Sequence, residues 1–127
     1  MNTASNHSYK EIAEAIAKGN FDFYRRYLAE DVRWNIIGSE PIVGKDVVIE
    51  RAGMPELDAY PVITITNIIA EGNYVVVESK GTATLQNGTP YNQTYCDIYC
   101  FEGGRIVEFT TYLDTALSIG VRENENK

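Results

Sequence analysis

The sequence predicts an α+β domain whose helices gather on one face of a mainly antiparallel sheet. Two short amphipathic helical patterns open the chain, four long β-rich runs follow in its second half, and each break between those runs carries polar turn residues. Helices first and strands after is the order of α+β architecture, not of alternating α/β units.

The elements follow from local chemistry. Ser8 and Glu11 have capping-box spacing, and Tyr9, Ile12, Ala13, Ile16 and Ala17 recur at helical intervals behind them. Gly19 stops that helix. Asn20 is placed to cap a second helix with Phe21, Tyr24, Tyr27 and Leu28 on its apolar face, ending near Glu30 and Asp31. Val32 to Ile37 is β-rich, and Gly38-Ser39-Glu40-Pro41 reads as a loop before Gly44. A third short helix is expected over Lys45 to Ala52, with Val48 and Ile49 as apolar contacts. Gly53 and Pro55 end it, and the stretch through Pro61 reads as irregular. Four strands complete the chain: Val62 to Ala70, Tyr74 to Leu85, Tyr91 to Phe101 and Arg105 to Leu113. The links Glu71-Gly72-Asn73, Gln86-Asn87-Gly88-Thr89 and Glu102-Gly103-Gly104 suit an antiparallel meander.

Length and composition bound the function. A chain of 127 residues with 44% hydrophobic and 23% charged residues fits one domain, 1–127, with a core that needs no disulfide; the ends near 1–7 and 122–127 are expected to fray. Eleven Lys and Arg against 18 Asp and Glu give a net charge of −7 without a basic cluster, which argues against nucleic acid as a partner. No apolar run approaches the ~20 residues that span a bilayer, so no membrane association is expected. The Met-Asn-Thr-Ala-Ser start lacks the basic and apolar regions of a secretory signal, and a cytoplasmic location is expected.

Cys96 and Cys100 lie four apart in a strand, separated by about four rises of ~3.3 Å, which is too far for a disulfide between them. They are expected to be small packing residues on the buried side of the sheet. A metal would need more ligands than these, and the single histidine, His7, lies near the N-terminus, so no metal site is expected.

The third long strand carries the main candidate for chemistry. Period two puts Tyr91, Gln93, Tyr95, Asp97, Tyr99 and Phe101 on one face, with Asn92, Thr94, Cys96, Ile98 and Cys100 on the other. If the first face lines an apolar cavity, Asp97 must be held neutral or hydrogen-bonded, which is how a carboxyl becomes an acid useful near neutral pH. On the last strand Phe109, Thr111 and Leu113 share one face, and a bulge would exchange it with the face of Glu108, Thr110, Tyr112 and Asp114.

Four stretches carry a resemblance over nearly the whole chain: Lys18-Gly19-Asn20-Phe21-Asp22, Leu28-Ala29-Glu30-Asp31-Val32, Gly38-Ser39-Glu40-Pro41-Ile42-Val43-Gly44, and Phe101-Glu102-Gly103-Gly104-Arg105-Ile106-Val107-Glu108 with Tyr112-Leu113-Asp114. In this order they resemble the NTF2-like superfamily, in particular its SnoaL-like and ketosteroid isomerase-like branches. The resemblance implies an NTF2-like cone, with N-terminal helices on a curved sheet enclosing a pocket, and often a homodimer paired through the outer sheet face. It places Phe109, Thr111 and Leu113 in the pocket, and Asp97 where ketosteroid isomerases hold an oxyanion-stabilising aspartic acid. The expected general-base aspartate is replaced by Asn35, which cannot take up a proton. The expected oxyanion-hole tyrosine falls at Ile12. Steroid isomerisation by the usual mechanism is therefore not expected.

Asn35 remains a candidate for orienting a substrate carbonyl or water from the pocket wall. Its neighbour Trp34 points to the opposite face of a regular strand and reads as core packing. Asp114 reads first as a cap and second as an acid. The pocket histidines of scytalone dehydratase-like chemistry are missing. Limonene epoxide hydrolase-like enzymes would have arginine two residues before Asp97, where this chain has Tyr95.

The expectation is a SnoaL-like small-molecule protein, an isomerase- or cyclase-type enzyme acting on a hydrophobic carbonyl or polyketide-like compound without a metal or organic cofactor. Asp97 is its candidate acid, and Tyr95, Tyr99, Phe101, Phe109, Thr111 and Leu113 form the ligand wall. Two other classes fit the same fold: a ligand-binding module without turnover, and a protein-interaction domain.

Overall fold

The computed structural model describes residues 7–54, 60–84 and 87–113. Helices α1 (Tyr9–Ala17) and α2 (Phe21–Tyr27) lead into strand β1 (Leu28–Ile36), the short β2 (Ile42–Val43) and helix α3 (Lys45–Ala52). Four longer strands follow, β3 (Val62–Glu71), β4 (Tyr74–Thr84), β5 (Pro90–Glu102) and β6 (Arg105–Leu113). The strands form one curved six-stranded sheet in the order β2-β1-β6-β5-β4-β3. Every neighbouring pair is antiparallel except β1 with β6.

The helical start folds as its caps dictate. Ser8 Oγ accepts from the Glu11 backbone N–H at 3.1 Å while Glu11 Oε1 accepts from the Ser8 N–H at 3.0 Å. Ile12, Ala13 and Ile16 are thereby presented to the sheet and fully buried, each isoleucine contributing ~1.5–3 kcal/mol of burial. The chain reverses at Gly19, whose φ of 89° is open only to glycine at low cost, and Asn20 Oδ1 then caps α2 by accepting from Asp22 and Phe23. Lys45 ties α3 to the end of α2, its Nζ donating to the Arg25 carbonyl at 2.7 Å and pairing with Glu30 at 3.3 Å.

Three expectations need correction. The second helix ends at Tyr27, not near Glu30 and Asp31, because Leu28 is already extended and enters the sheet beside Ile106. The loop before Gly44 contains β2, a two-residue strand hydrogen-bonded to β1, because Ile42 and Val43 lie opposite Trp34 and Arg33. Cys96 and Cys100 sit half-buried on the outer face of β5, not on its buried side, since the inner positions belong to Tyr95, Asp97, Tyr99 and Phe101. The strand ends otherwise fall within a residue or two of expectation. Pro55, Leu85, Asp114 and the tail 122–127 lie outside the described residues.

The core sits between α1, α2, α3 and the inner face of the sheet. Inner and outer positions alternate along β4 and β5 without interruption, so Val75, Val77 and Ser79 face the same way as Tyr99, Asp97 and Tyr95. The irregularity in β6 pairing lies at Val107, between Ile106 and Glu108, so it comes before Phe109, Thr111 and Leu113 and leaves their facing intact. No helix among the described residues is long and apolar enough to cross a membrane.

Candidate functional site

A row of aromatic rings runs along the inner face of the sheet and divides it into two parts. At one end Phe101 stacks on Tyr9 of α1, centroids 4.0 Å apart and planes within 11°, and this end is solid core. Tyr99 then stacks on Phe109 (5.1 Å) and Phe109 on Trp34 (5.2 Å), which makes an aromatic shelf. Beyond the shelf the helices no longer fill the concave face, and a cavity of about 270 Å³ opens. Its walls come from β3, β4, β5 and β6, from Trp34 and Ile36 of β1, from the last residue of α1 and Tyr24 of α2, from the end of α3 through Met54, and from Tyr60.

Asp97 is the single carboxylate among the described residues of this cavity, and it is only 9% exposed. It pairs across the β5–β6 ladder with Thr111, whose Oγ1 donates to Asp97 Oδ1 at 2.5 Å. The Thr111 oxygen in turn accepts from Trp34 Nε1 at 2.8 Å. No hydrogen bond to the other carboxylate oxygen occurs among the described residues, although no buried polar side-chain atom there is left unpaired, so Oδ2 is open to the cavity. Burial raises the Asp97 pKa to about 6, against the opposing pull of the Thr111 hydrogen bond.

Tyrosines surround this carboxyl. Burial pushes Tyr60 up to about 12 and Tyr24, Tyr95 and Tyr99 upward as well, with the nearby Asp97 adding to each shift. All four therefore remain neutral O–H donors across the ordinary pH range. The Tyr91 and Tyr95 hydroxyls are hydrogen-bonded to each other. Two glycines make room for these rings. A Cβ on Gly19 would collide with the Tyr60 ring, and one on Gly81 would lie 3.0 Å from both Ile63 Cδ1 and Tyr95 Cε2.

Of the residues picked out from sequence, Asp97, Tyr95, Tyr99, Phe109, Thr111 and Leu113 line the cavity together. Phe101 does not, because its place at the filled end of the cone puts it under α1. Asn35 also lies elsewhere. The parallel register pairs Trp34 with Phe109 and Asn35 with Thr110, so Trp34 turns inward and Asn35 outward. There Asn35 Nδ2 donates to Glu108 Oε2 at 2.8 Å and its Oδ1 accepts from Arg33 Nε at 3.2 Å. Asn35 is thus part of a polar ladder on the outer face, not an orienting amide in the pocket. Asp114 lies outside the described residues.

Sequence reasoning missed Trp34, Tyr24, Tyr60, Ser79 and Arg51. Alternation puts Trp34 and Asn35 on opposite faces, but the pairing of β1 with β6 decides that Trp34 is the inner one, and neither that pairing nor the indole N–H bond to Thr111 is a local signal. Ser79 shares the inner face of Val75 and Val77 by the same period of two. Tyr60 lies outside any helix or strand and carries no periodic signal. Among the described residues no group of three or more His, Cys, Asp and Glu side chains is placed to hold a metal ion. His7 lies instead against the rings of Phe23 and Tyr27.

The family model for a SnoaL-like domain matches residues 9–109. Among solved structures, an NTF2-like protein of unknown function from Cytophaga hutchinsonii is 32% identical, with a TM-score of 0.71 over 82% of this chain and 94% of that one. A protein named for likeness to SnoaL-type polyketide cyclases, from Jannaschia, superposes with a TM-score of 0.76 at 15% identity over 91% of this chain and 94% of that one. An LEH-like epoxide hydrolase from M. tuberculosis superposes with a TM-score of 0.68 at 20% identity over 84% of this chain and 83% of that one. No curated protein matches the chain. The last two likenesses concern the fold alone, whereas the family match runs from α1 into β6 and the Cytophaga likeness is 32% in identity. This chain is a member of the SnoaL-like family, built on the NTF2-like fold.

Proposed function

We propose that the protein catalyses cofactor-independent proton transfer on a compact, largely apolar carbonyl compound of polyketide type, leading to isomerisation or ring closure. The observation that supports this most is Asp97: a carboxylate buried in an aromatic cavity, with one oxygen bonded to Thr111 and the other open. A pKa of about 6 makes both its forms accessible near neutral pH, with the ionised form in excess above that value. Asp97 then acts first as base. It takes the proton from a carbon beside the carbonyl, and the electron pair moves to the carbonyl oxygen, which becomes an enolate. Neutral tyrosine hydroxyls on the cavity wall donate to that oxygen. Asp97, now protonated, acts as acid. It returns the proton to a different carbon in an isomerisation, or to the new alkoxide when the enolate carbon has closed on a second carbonyl.

This reading extends the sequence expectation of Asp97 as an acid by letting one group serve in both directions, which removes the need for a separate base. The cavity of about 270 Å³ lies near the small end of the ~300–1,000 Å³ usual for ligand sites, which favours a compact substrate. The same reading includes a homodimer through the outer sheet face, where Tyr112 is 46% exposed beside the half-buried Cys96 and Ile98. Light scattering that finds only monomer at micromolar concentration would remove it.

The test of catalysis does not require the natural substrate. Enolisable ketones and 1,3-dicarbonyls are incubated with the protein in deuterated water, and deuterium entry at the α-carbon is followed by NMR. Enzyme-dependent exchange that is lost in Asp97→Asn supports the proposal. Ligand-induced shifts with no exchange in the wild type, and equal binding by Asp97→Asn, identify a binding module instead.

A further inference from the structure

We infer that Trp34, acting through Thr111, is a positioning residue that fixes Asp97 as a hydrogen-bond acceptor and so holds it in the form that can begin proton abstraction. The number of donors and acceptors on each side chain decides the direction of these bonds. An indole N–H can donate and can accept nothing, and a threonine hydroxyl has a single proton. Trp34 Nε1 lies 2.8 Å from Thr111 Oγ1, so that oxygen accepts from the indole. The same oxygen lies 2.5 Å from Asp97 Oδ1, and the proton that remains to it points there. Were Asp97 to carry its proton on Oδ1 and donate to Thr111, the threonine would need another acceptor for its own proton, and Trp34 cannot be one. The chain of bonds therefore has one direction, from Trp34 to Thr111 to Asp97, and it favours the carboxylate.

The scaffold holds this direction firmly. Trp34 is pinned by its stacking on Phe109, with planes within 17°, and by the parallel pairing of Trp34 with Phe109 and of Ile36 with Thr111. Thr111 is 4% exposed and lies directly across from Asp97. The other polar groups facing the cavity are Tyr24 from α2, Tyr60, Tyr91, Tyr95 and Tyr99, Ser79 from β4, and Arg51 from α3; Cys96 lies next to Asp97 on the outer face. Arg51 is the one cation among the described lining residues, and Tyr24, Tyr60, Tyr95 and Tyr99 are neutral. None of these is seen to hydrogen-bond Asp97 among the described residues, which leaves Thr111 as the group that sets the direction of the bond.

This inference rests on Asp97 as proton carrier, but its test reads the resting protein and needs no turnover, so either can fail without the other. Carbon-13 labelled Asp97 is titrated by NMR in the wild type, Thr111→Val, Thr111→Ser, Trp34→Phe and the double variant Trp34→Phe/Thr111→Val. Removing the donor in Thr111→Val should raise the Asp97 midpoint by about 1 unit, a tenfold tighter hold on the proton, and Thr111→Ser should restore it. Trp34→Phe keeps the stacking ring and frees the threonine proton to rotate, so the midpoint should rise in the same direction by less. In the Thr111→Val background it should then have no effect. A Trp34→Phe midpoint equal to that of the wild type overturns the inference, as does a Thr111→Val midpoint that stays or falls. A second readout needs no substitution. Trp34 is the single tryptophan, so its indole N–H resonance is unambiguous and should move with the Asp97 midpoint. An indole signal that stays fixed through that titration overturns the inference even if every variant fails to fold.

Discussion

Phe101 and Asp97 stand on the same strand and the same face, four residues apart, yet one is structural and the other is the candidate reactive group. Phe101 is covered by Tyr9 of α1, whereas Asp97 looks into the space that the helices leave open. The inner face of a curved sheet is therefore two environments. Where α1 lies on it, apolar side chains interlock as in any core. Where the helices leave it uncovered, tyrosines, Thr111, Ser79 and Asp97 line a cavity, and the cost of keeping a carboxyl there is what raises its pKa.

Substitutions can break this contrast from either side. The largest expected effect is on activity: Asp97→Asn should reduce α-carbon exchange by ~10²–10⁴-fold, the range for loss of a general acid–base, while the protein stays folded. A comparable exchange rate in that variant would take the chemistry away from Asp97. Phe101→Ala should do the reverse, lowering unfolding free energy by ~3–5 kcal/mol in denaturant titration while ligand-induced shifts at Tyr95 and Thr111 persist. If Phe101→Ala instead abolishes binding at unchanged stability, the two ends of the inner face are not separate.

A third prediction concerns pH. Asp97 holds its proton more tightly when folded, at about 6, than when unfolded, at about 3.9. Its contribution to stability is thus fully present below about pH 4 and is lost as pH rises through 6. Relative to Asp97→Asn, the wild type should lose roughly 3 kcal/mol between pH 3 and 7. Parallel pH profiles for the two proteins would mean that Asp97 is solvated.

Smaller effects sharpen the outline of the cavity. Gly19→Ala should cost ~1–2 kcal/mol from its left-handed backbone alone, and the new methyl must also displace the Tyr60 ring, so ligand shifts should weaken together with stability. The smallest effect belongs to the outer face. Asn35→Ala should change stability by no more than ~0.5 kcal/mol and leave exchange intact, since its partners Arg33 and Glu108 are exposed. A large loss of exchange in Asn35→Ala would return that residue to the site.

Much of this was legible in the sequence. Ser8 and Glu11, Gly19 and Asn20 announce the first two helices, and alternation in the third long strand shows Tyr95, Asp97 and Tyr99 on one face. Period two states which way a residue points, but not what lies over it. For that reason Phe101 was expected in the ligand wall. The facing of Asn35 failed for a different reason: a resemblance placed it at the position of a catalytic base, while the strand period, which turns Trp34 and Asn35 to opposite faces, could not by itself say which face was the inner one. The parallel pairing of β1 with β6 settles that, and it joins residues 75 apart, as in Asn35 with Thr110, beyond any local pattern. Tyr60 was invisible because its position comes from the space left by Gly19, a contact between distant segments.

Whether Asp97 is a buried carboxyl poised to exchange protons with a ligand is decided by the carboxyl carbon titration of the wild-type protein. A buried carboxyl with one oxygen held by Thr111 should show a single transition with its midpoint near 6. A midpoint at or below about 3.9 would show a solvated or fully hydrogen-bonded carboxylate and would contradict it.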